Sequence, residues 1–341
     1  VAAREDFPLI HVILLLVCAV IIYLACELFV NAVEWLGARL AVGAIAVGSI
    51  LAAAGTALPE SVVTLVAVLF GSDEAGSDIG VGAALGGPLV VGTIAYAVTG
   101  AMLLLRHRAN PAAKRDDMAG VDLQRMGRDQ VWFIAIFVFK IALGLVAFAI
   151  KPWLGLLFLA AYGVYFWQEM RQDGDAASHE DLEPLRLQRK RERPATWAIV
   201  VQTLATLAVI FVASQVFVSQ LEWAGPAMGL PPMVVALLLS PIATELPEVL
   251  NAIIWVRQGK TALALANISG AMMIQATVPS GIGLLGTPWE FDTGATLAGL
   301  ATLASVVYLT ILFHRRAVTA GRLVVAGGFY AAFAVGLAVT L

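Results

Sequence analysis

Ten apolar runs, near 9–35, 40–70, 79–105, 131–150, 152–168, 197–221, 230–256, 262–285, 290–313 and 323–341, take up most of the chain. A helix needs about 20 apolar residues to cross the hydrocarbon core of a bilayer, so each run reads as a membrane span. Composition agrees. Hydrophobic residues make up 60% of the 341 and charged residues 13%, against about 45–50% and about 25% in a soluble globular domain. Such a chain has too little polar surface to cover a water-soluble body, and its excess apolar surface must face lipid. Disorder and a disulfide scaffold are excluded too. The two cysteines, Cys18 and Cys26, sit eight apart in one apolar run with nothing nearby to complete a metal site. That first run is too long for a signal-peptide core and lacks a small-residue cleavage site, so it reads as span one.

Two polar stretches interrupt the series, Arg106–Gln130 and Glu169–Thr196. The second is the longer and predicts two five-helix halves, residues 1–168 and 197–341, joined by a cytoplasmic linker over 169–196. The expected fold is an all-α membrane protein of ten transmembrane helices. Basic residues orient it. With the N-terminus outside, 18 of the 21 Lys and Arg fall in inside loops, two (Arg4 and Lys151) fall outside, and Lys140 lies within a span. This is the positive-inside asymmetry, and it predicts both termini outside, in a plasma or inner membrane. The eight tryptophans sit at or near span ends, where the headgroup region favours the indole ring. No loop is long enough for a soluble domain, and none carries an EF-hand pattern.

Sliding the chain on itself by 188 residues aligns Phe29-Val30 with Phe217-Val218, and Glu34-Trp35 with Glu222-Trp223. At the same offset Thr56, Leu58, Pro59 and Glu60 meet Thr244, Leu246, Pro247 and Glu248, and 13 of the 43 positions from 29 to 71 are identical. Apolar bias aligns Val with Val, but it does not align Leu-Pro-Glu with Leu-Pro-Glu. The copies begin at spans one and six, an odd number of crossings apart, so they run through the membrane in opposite senses. Inverted-topology repeats are a signature of secondary transporters, whose site lies near the midplane where the repeats meet.

Each copy breaks the apolar rule at mid-depth, at Ala54-Gly55-Thr56-Ala57-Leu58-Pro59-Glu60 and at Ile242-Ala243-Thr244-Glu245-Leu246-Pro247-Glu248. A charged side chain near the bilayer centre costs at least about 2.5–3.5 kcal/mol and marks a functional site by default. Proline removes a backbone donor and clashes with the carbonyl one turn earlier, which frees carbonyls around Ala53–Thr56 and Pro241–Thr244. The ends of broken helices are where coupling cations are held. Carboxylate, hydroxyl and carbonyl oxygens together form a hard ligand set suited to Ca²⁺, Na⁺ or Mn²⁺.

These segments resemble the α-repeats of the calcium/cation antiporter superfamily, the sodium/calcium exchanger branch above all. The pattern there is Gly-Thr-Ser-Leu-Pro-Glu, followed one helix later by Asp-Ile-Ala-x-Gly-Asn-x-x-Gly-Ser-Asn. The first copy runs Gly55-Thr56-Ala57-Leu58-Pro59-Glu60, then Asp78-Ile79-Gly80-Val81-Gly82-Ala83-Ala84-Leu85-Gly86-Gly87-Pro88. The second runs Ala243-Thr244-Glu245-Leu246-Pro247-Glu248, then Ala266-Asn267-Ile268-Ser269-Gly270-Ala271-Met272. The resemblance implies antiport of a divalent cation ligated by Glu60 and Glu248. It also brings departures: family serines become Ala57, Gly87, Ala271 and Glu245, and the distal ligand positions are Val91 and Gln275. Lost hydroxyls weigh against three sodium ions as the coupling load and favour protons.

Charge accounting sets the expected mechanism. Three carboxylates in a desolvated site forbid the empty carrier from reorienting; a divalent ion plus one proton neutralises them, and so do three protons. Glu60 and Glu248 are expected to bridge the cation, with Glu245 as third ligand or proton carrier. Thr56, Thr244 and the Ala53 carbonyl would complete the shell, and Asn267, Ser269 and Gln275 line the facing span. Metal contact falls first on Glu60, Glu248, Thr56 and Thr244. The cargo is expected to be Ca²⁺ against H⁺ or Na⁺; the partners are inorganic cations and membrane lipids, with no nucleic acid and no cofactor. Lys140 is expected to snorkel or to pair with an acid. Gly86 and Gly270, which correspond across the repeat, are expected to permit close helix packing. The rival reading is a transport-inactive paralogue serving as a structural subunit. No Ser/His, paired-Asp or His-Glu constellation points to an enzyme.

Overall fold

A computed structural model describes residues 6–41, 43, 46–57, 61, 64–65, 73–109, 118, 120–146, 149–171, 182–227, 238, 241 and 244–340. Regular structure among them is helical. In chain order the helices are α1 (Asp6–Leu40), α2 (residues 47–57, with Val47–Ala52 wound as a π-helix), α3 (Asp73–Val90), α4 (Tyr96–Ala109), α5 (Leu123–Gly144), α6 (Gly155–Arg171), α7 (Thr196–Ala227), α8 (Leu246–Arg257), α9 (Thr261–Gly286), α10 (Thr293–His314) and α11 (Ala320–Thr340). A π-helical turn, Val91–Ala95, carries α3 directly into α4.

Six described helices are long and apolar enough to cross a membrane: Ile10–Leu40, Ala84–Ala109, Thr196–Phe217, Thr261–Gly286, Thr293–His314 and Ala320–Thr340. Apolar side chains face outward along them, Leu16, Val20 and Leu24 on α1 and Leu204 and Val212 on α7 among them. Outward Leu and Val over this length are what a lipid solvent selects. The protein is a multi-pass membrane protein.

Layering follows residue size. α1 and α7 pack lengthwise against each other. α9 runs through the middle and is buried almost from end to end, in contact with α2, α3, α5, α6 and α8. Its small residues allow this. A Cβ at Gly270 would collide with the carbonyl of Ser49 on α2, and Gly281 and Gly155 on α6 oppose each other backbone to backbone. Small residues let helix backbones approach where lipid supplies no hydrophobic drive between helices. Gly86 on α3 likewise packs directly on the Pro241 ring. The two corresponding glycines therefore each seat an inner helix against an element of the other sequence copy, Gly86 at Pro241 and Gly270 at Ser49.

The tryptophans correct the expectation of a lipid-facing aromatic belt. Trp132, Trp153, Trp167 and Trp197 are exposed, but Trp35, Trp255 and Trp289 are buried. Each buried indole donates inside the protein: Trp35 to the Glu183 carbonyl at 2.8 Å, Trp255 to Glu34 at 2.8 Å and Trp289 to the Lys140 carbonyl at 3.4 Å. An indole at a helix end satisfies its N–H equally well against a neighbouring helix, and sequence position alone does not separate the two.

Candidate functional site

The first copy of the broken segment begins on α2. Its π-helical turn is buried over Val47–Ile50 and at Ala52. Gly48 there meets α9 closely; a Cβ would stand 2.8 Å from the Leu263 carbonyl and 3.1 Å from the Asn267 amide nitrogen. π-Turns recur at functional sites because the wider winding leaves backbone groups for other partners. Ala53 and Thr56 are buried. The Thr56 hydroxyl donates back to the Ala52 carbonyl at 3.1 Å, which leaves the oxygen's lone pairs as acceptors for a cation. Leu58, Pro59 and Glu60 lie outside the described residues.

The second copy is described more fully. Thr244 repeats the Thr56 pattern, donating to the Pro241 carbonyl at 3.2 Å. Glu245 is the residue from which α8 starts, and Pro247 falls within that helix's first two positions. Proline fits there, since the first turn's N–H groups have no intrahelical acceptor. Glu248 lies in the same first turn, on the positive end of the helix dipole. Glu245 and Glu248 are both buried, Glu248 completely.

α9 faces these acids. The Gln275 amide donates to Glu245 Oε2 at 2.5 Å. The Asn267 amide lies 3.5 Å from the Glu248 carbonyl. Beside both side chains stands Gly87 of α3, where a Cβ would be 3.1 Å from Glu245 Oε1 and 3.1 Å from Gln275 Oε1. Gly87, Glu245 and Gln275 are three of the positions at which the sequence departs from the exchanger pattern, and the fold brings them into one contact. Where the pattern has two small hydroxyls, this chain has a carboxylate reaching into the space a glycine leaves, with an amide to hold it.

Buried side-chain polar atoms without a hydrogen-bond partner occur along these helices. Asn267 Oδ1, Gln275 Oε1 and both polar atoms of Asn251 have no hydrogen-bond partner among the described residues. A buried polar atom without a partner costs about 1–3 kcal/mol, and a bound cation would satisfy the oxygens among these. Asn251 was not anticipated. Its signal is its spacing: it follows Glu248 by three on α8 and shares that helix face. Among the described residues, no three His, Cys, Asp or Glu side chains gather closely enough to hold a metal ion by themselves. The donor set is therefore mixed, two described carboxylates with amide and hydroxyl oxygens, the composition that suits a hard cation.

A second polar cluster was also not anticipated. Glu169 on α6 is buried and ion-pairs with Arg125 and, at 3.3 Å, with Arg128, both on α5. Ser49 of the π-turn donates to Glu169 at 3.0 Å, and Ser269 of α9 donates to Asp129 on α5 at 3.4 Å. Ser269 is thereby turned towards this network. Two cations and two anions balance, and the cluster ties α5 and α6 to the inner helices.

Lys140 does not snorkel. It is fully buried on α5, its ammonium donating to the Ala84 carbonyl at 2.5 Å.

A family model described as "Sodium/calcium exchanger protein" matches residues 10–168 and 198–339. Among characterised sequences, the chain is 26% identical over 293 residues to "Putative antiporter CaxA" of Alkalimonas amylolytica, covering 84% of each. It is 25% identical over 294 residues to "Inner membrane protein YrbG" of Escherichia coli K12, covering 83% of each. Among solved structures, the sodium-calcium exchanger NCX_Mj soaked with zero Na⁺ and Ca²⁺ superposes with a TM-score of 0.72 at 15% identity, over 96% of this chain and 99% of that one. The same exchanger soaked with 2.5 mM Na⁺ and 10 mM Sr²⁺ gives a TM-score of 0.70 at 15% identity, over 95% and 97%. The folds are shared, and with the family model matched on both sides of the polar stretch after residue 168, the chain belongs to the sodium/calcium exchanger family.

Proposed function

We propose that this member of the family is a secondary active antiporter that carries a divalent cation, Ca²⁺ first, against protons or Na⁺ by alternating access. The reading takes the ten apolar runs as ten spans in two inverted five-helix repeats with both termini outside, in a plasma or inner membrane. Glu248 and Glu60 bridge the cation. Thr56, Thr244 and the Ala53 carbonyl supply hard oxygens, and Asn267 and Gln275 contribute from α9. Glu245 is the third carboxylate. Such a site does not cross the membrane uncompensated, because desolvated carboxylates without cations or protons are too costly. That rule couples the two fluxes.

One observation carries most of the weight. Glu245, Gln275 and Gly87 depart from the family pattern together and touch one another, Gln275 at 2.5 Å from Glu245 and Gly87 leaving room for both. A structural subunit relieved of transport would lose costly acids; this chain has an additional one, accommodated by two neighbouring changes. That supports a rebuilt cation site over an inactive one. Fewer hydroxyls and more carboxylates favour protons over Na⁺ as the coupling ion.

The test is ⁴⁵Ca²⁺ uptake into proteoliposomes under an outward proton gradient, then under an outward sodium gradient, with the Glu60→Gln/Glu248→Gln double variant as control. Uptake driven by protons and lost in the double variant is the expected result. Uptake untouched by the double variant would overturn the reading, as would the absence of exchange for Ca²⁺, Mn²⁺ and Mg²⁺ alike.

A further inference from the structure

We propose that Lys140 is a built-in counter-ion of the cation site, a tethered positive charge that takes the place of one mobile cation and sets how much charge the site must collect before it moves. The inference rests on the antiporter reading above.

Pro88 lies inside α3, and proline has no N–H to donate to the carbonyl four residues back. The carbonyl so deprived is that of Ala84. Lys140 Nζ takes it at 2.5 Å, and the same ammonium lies 5.0 Å from the centre of the Phe137 ring, one turn earlier on α5. A proline-freed carbonyl and an aromatic face are both good partners for a cation in a dry place. They hold the ammonium against α3 and away from the membrane surface.

The turn it grips is the turn that lines the site. Ala84 and Gly87 lie three apart on α3, hence on nearly the same face, and a Cβ added at Gly87 would stand 3.1 Å from both Glu245 Oε1 and Gln275 Oε1. A buried ammonium is otherwise among the most expensive groups a membrane protein can contain. Placing it one turn from a buried carboxylate, on the helix that this carboxylate touches, offsets the cost of both.

Charge counting gives the consequence. Three carboxylates require three positive charges. With Lys140 contributing one, a single divalent ion supplies the remaining two, and no co-bound proton is needed. A fixed cation also repels the cargo, weakening its binding enough for release. Removing it therefore strengthens binding, the opposite of what loss of a merely structural residue does.

The experiment is ⁴⁵Ca²⁺ equilibrium binding to the purified full-length protein, alongside exchange in proteoliposomes, for wild type, Lys140→Met, Lys140→Gln, Lys140→Met/Glu245→Gln and Glu248→Gln. Both single Lys140 variants are expected to bind Ca²⁺ at least about tenfold more tightly, because a unit charge acts doubly on a divalent ion, and to exchange it more slowly. The double variant, which restores the net charge but gives up the Glu245 ligand, is expected to bind Ca²⁺ more weakly than the single Lys140 variants and closer to wild type. Unchanged or weaker binding in the single variants overturns the proposal. Should they fail to fold, the double variant decides: a double variant that folds where the single variants do not supports the counter-ion, and one that also fails to fold overturns it. Binding lost in Glu248→Gln but unmoved by Lys140 substitution removes the counter-ion and leaves the antiporter. A wild type that binds none of Ca²⁺, Mn²⁺ and Mg²⁺ removes both.

Discussion

The two broken segments share a Thr-x-Leu-Pro-Glu sequence and differ in the chemistry around it. In the first, the positions flanking Thr56 and the Leu-Pro-Glu turn are small or apolar: Ala57, Gly87 and Val91. In the second, polar groups accumulate, with Glu245, Asn251, Asn267 and Gln275 all buried. Yet the packing is reciprocal, Gly86 on Pro241 and Gly270 on Ser49. Under the proposed antiport by alternating access, the correspondence between the two sequence copies is kept in how the inner helix of each seats against the other copy. The described polar side chains proposed as ligands lie mostly in the second copy. A cation needs an oxygen shell of the right number and charge and has no preference for which repeat supplies it, so ligand chemistry drifts while helix seating does not.

If the second segment carries the chemistry, Glu248→Gln should be the most damaging single change, lowering ⁴⁵Ca²⁺ exchange by about a hundredfold or more, since a fully buried ligand charge is removed. A loss under about tenfold would break the comparison. Next is Gly87→Ser, which puts back the residue of the exchanger pattern. Its Cβ would press at 3.1 Å on Glu245 Oε1 and on Gln275 Oε1, and exchange should fall by about tenfold. Adding Glu245→Ser should recover most of it, because the two positions share one space; additive losses in that cycle would mean that the two changes are unrelated.

Packing gives a third test, read by thermal unfolding in detergent. Gly270→Ala drives a methyl into the Ser49 backbone and should destabilise by about 2–3 kcal/mol. Gly82→Ala, on the corresponding inner helix with nothing within 4 Å of the added methyl, should change stability by less than about 0.5 kcal/mol. Equal effects would mean that the seating at Gly270 is not tight. The smallest effect belongs to Ser269→Ala. It removes a 3.4 Å bond to Asp129 and should cost about 1 kcal/mol or less with little change in Ca²⁺ affinity, because the hydroxyl faces the Arg125–Glu169 network. A clear loss of affinity would return Ser269 to the cation site.

Much of the molecule is legible in one dimension. Hydrophobic period and length announce membrane helices, the repeat announces itself by Glu-Trp and Leu-Pro-Glu recurring at one offset, and acids in an apolar run announce a site. Helix packing at Gly86 and Gly270 was readable because glycine at corresponding positions has few other uses in a span. The Arg125–Glu169 network was not readable. Its members sit in polar stretches where charge is expected to face water, and burial is decided by which helices close over them. The tryptophans failed for a related reason, since a span end can meet lipid or protein.

By itself the sequence determined class, family resemblance and the mid-membrane acids, because these depend on residue type and spacing along the chain. Only the tertiary structure decided which groups meet. That Glu245 rests between Gln275 and a glycine 158 positions back in the chain, and that Lys140 answers a carbonyl orphaned by Pro88, are relations between helices remote in sequence. Hydrogen bonds and charge pairs act over a few ångströms through space. The order of residues lists the participants, and the packing of the helices selects the partners.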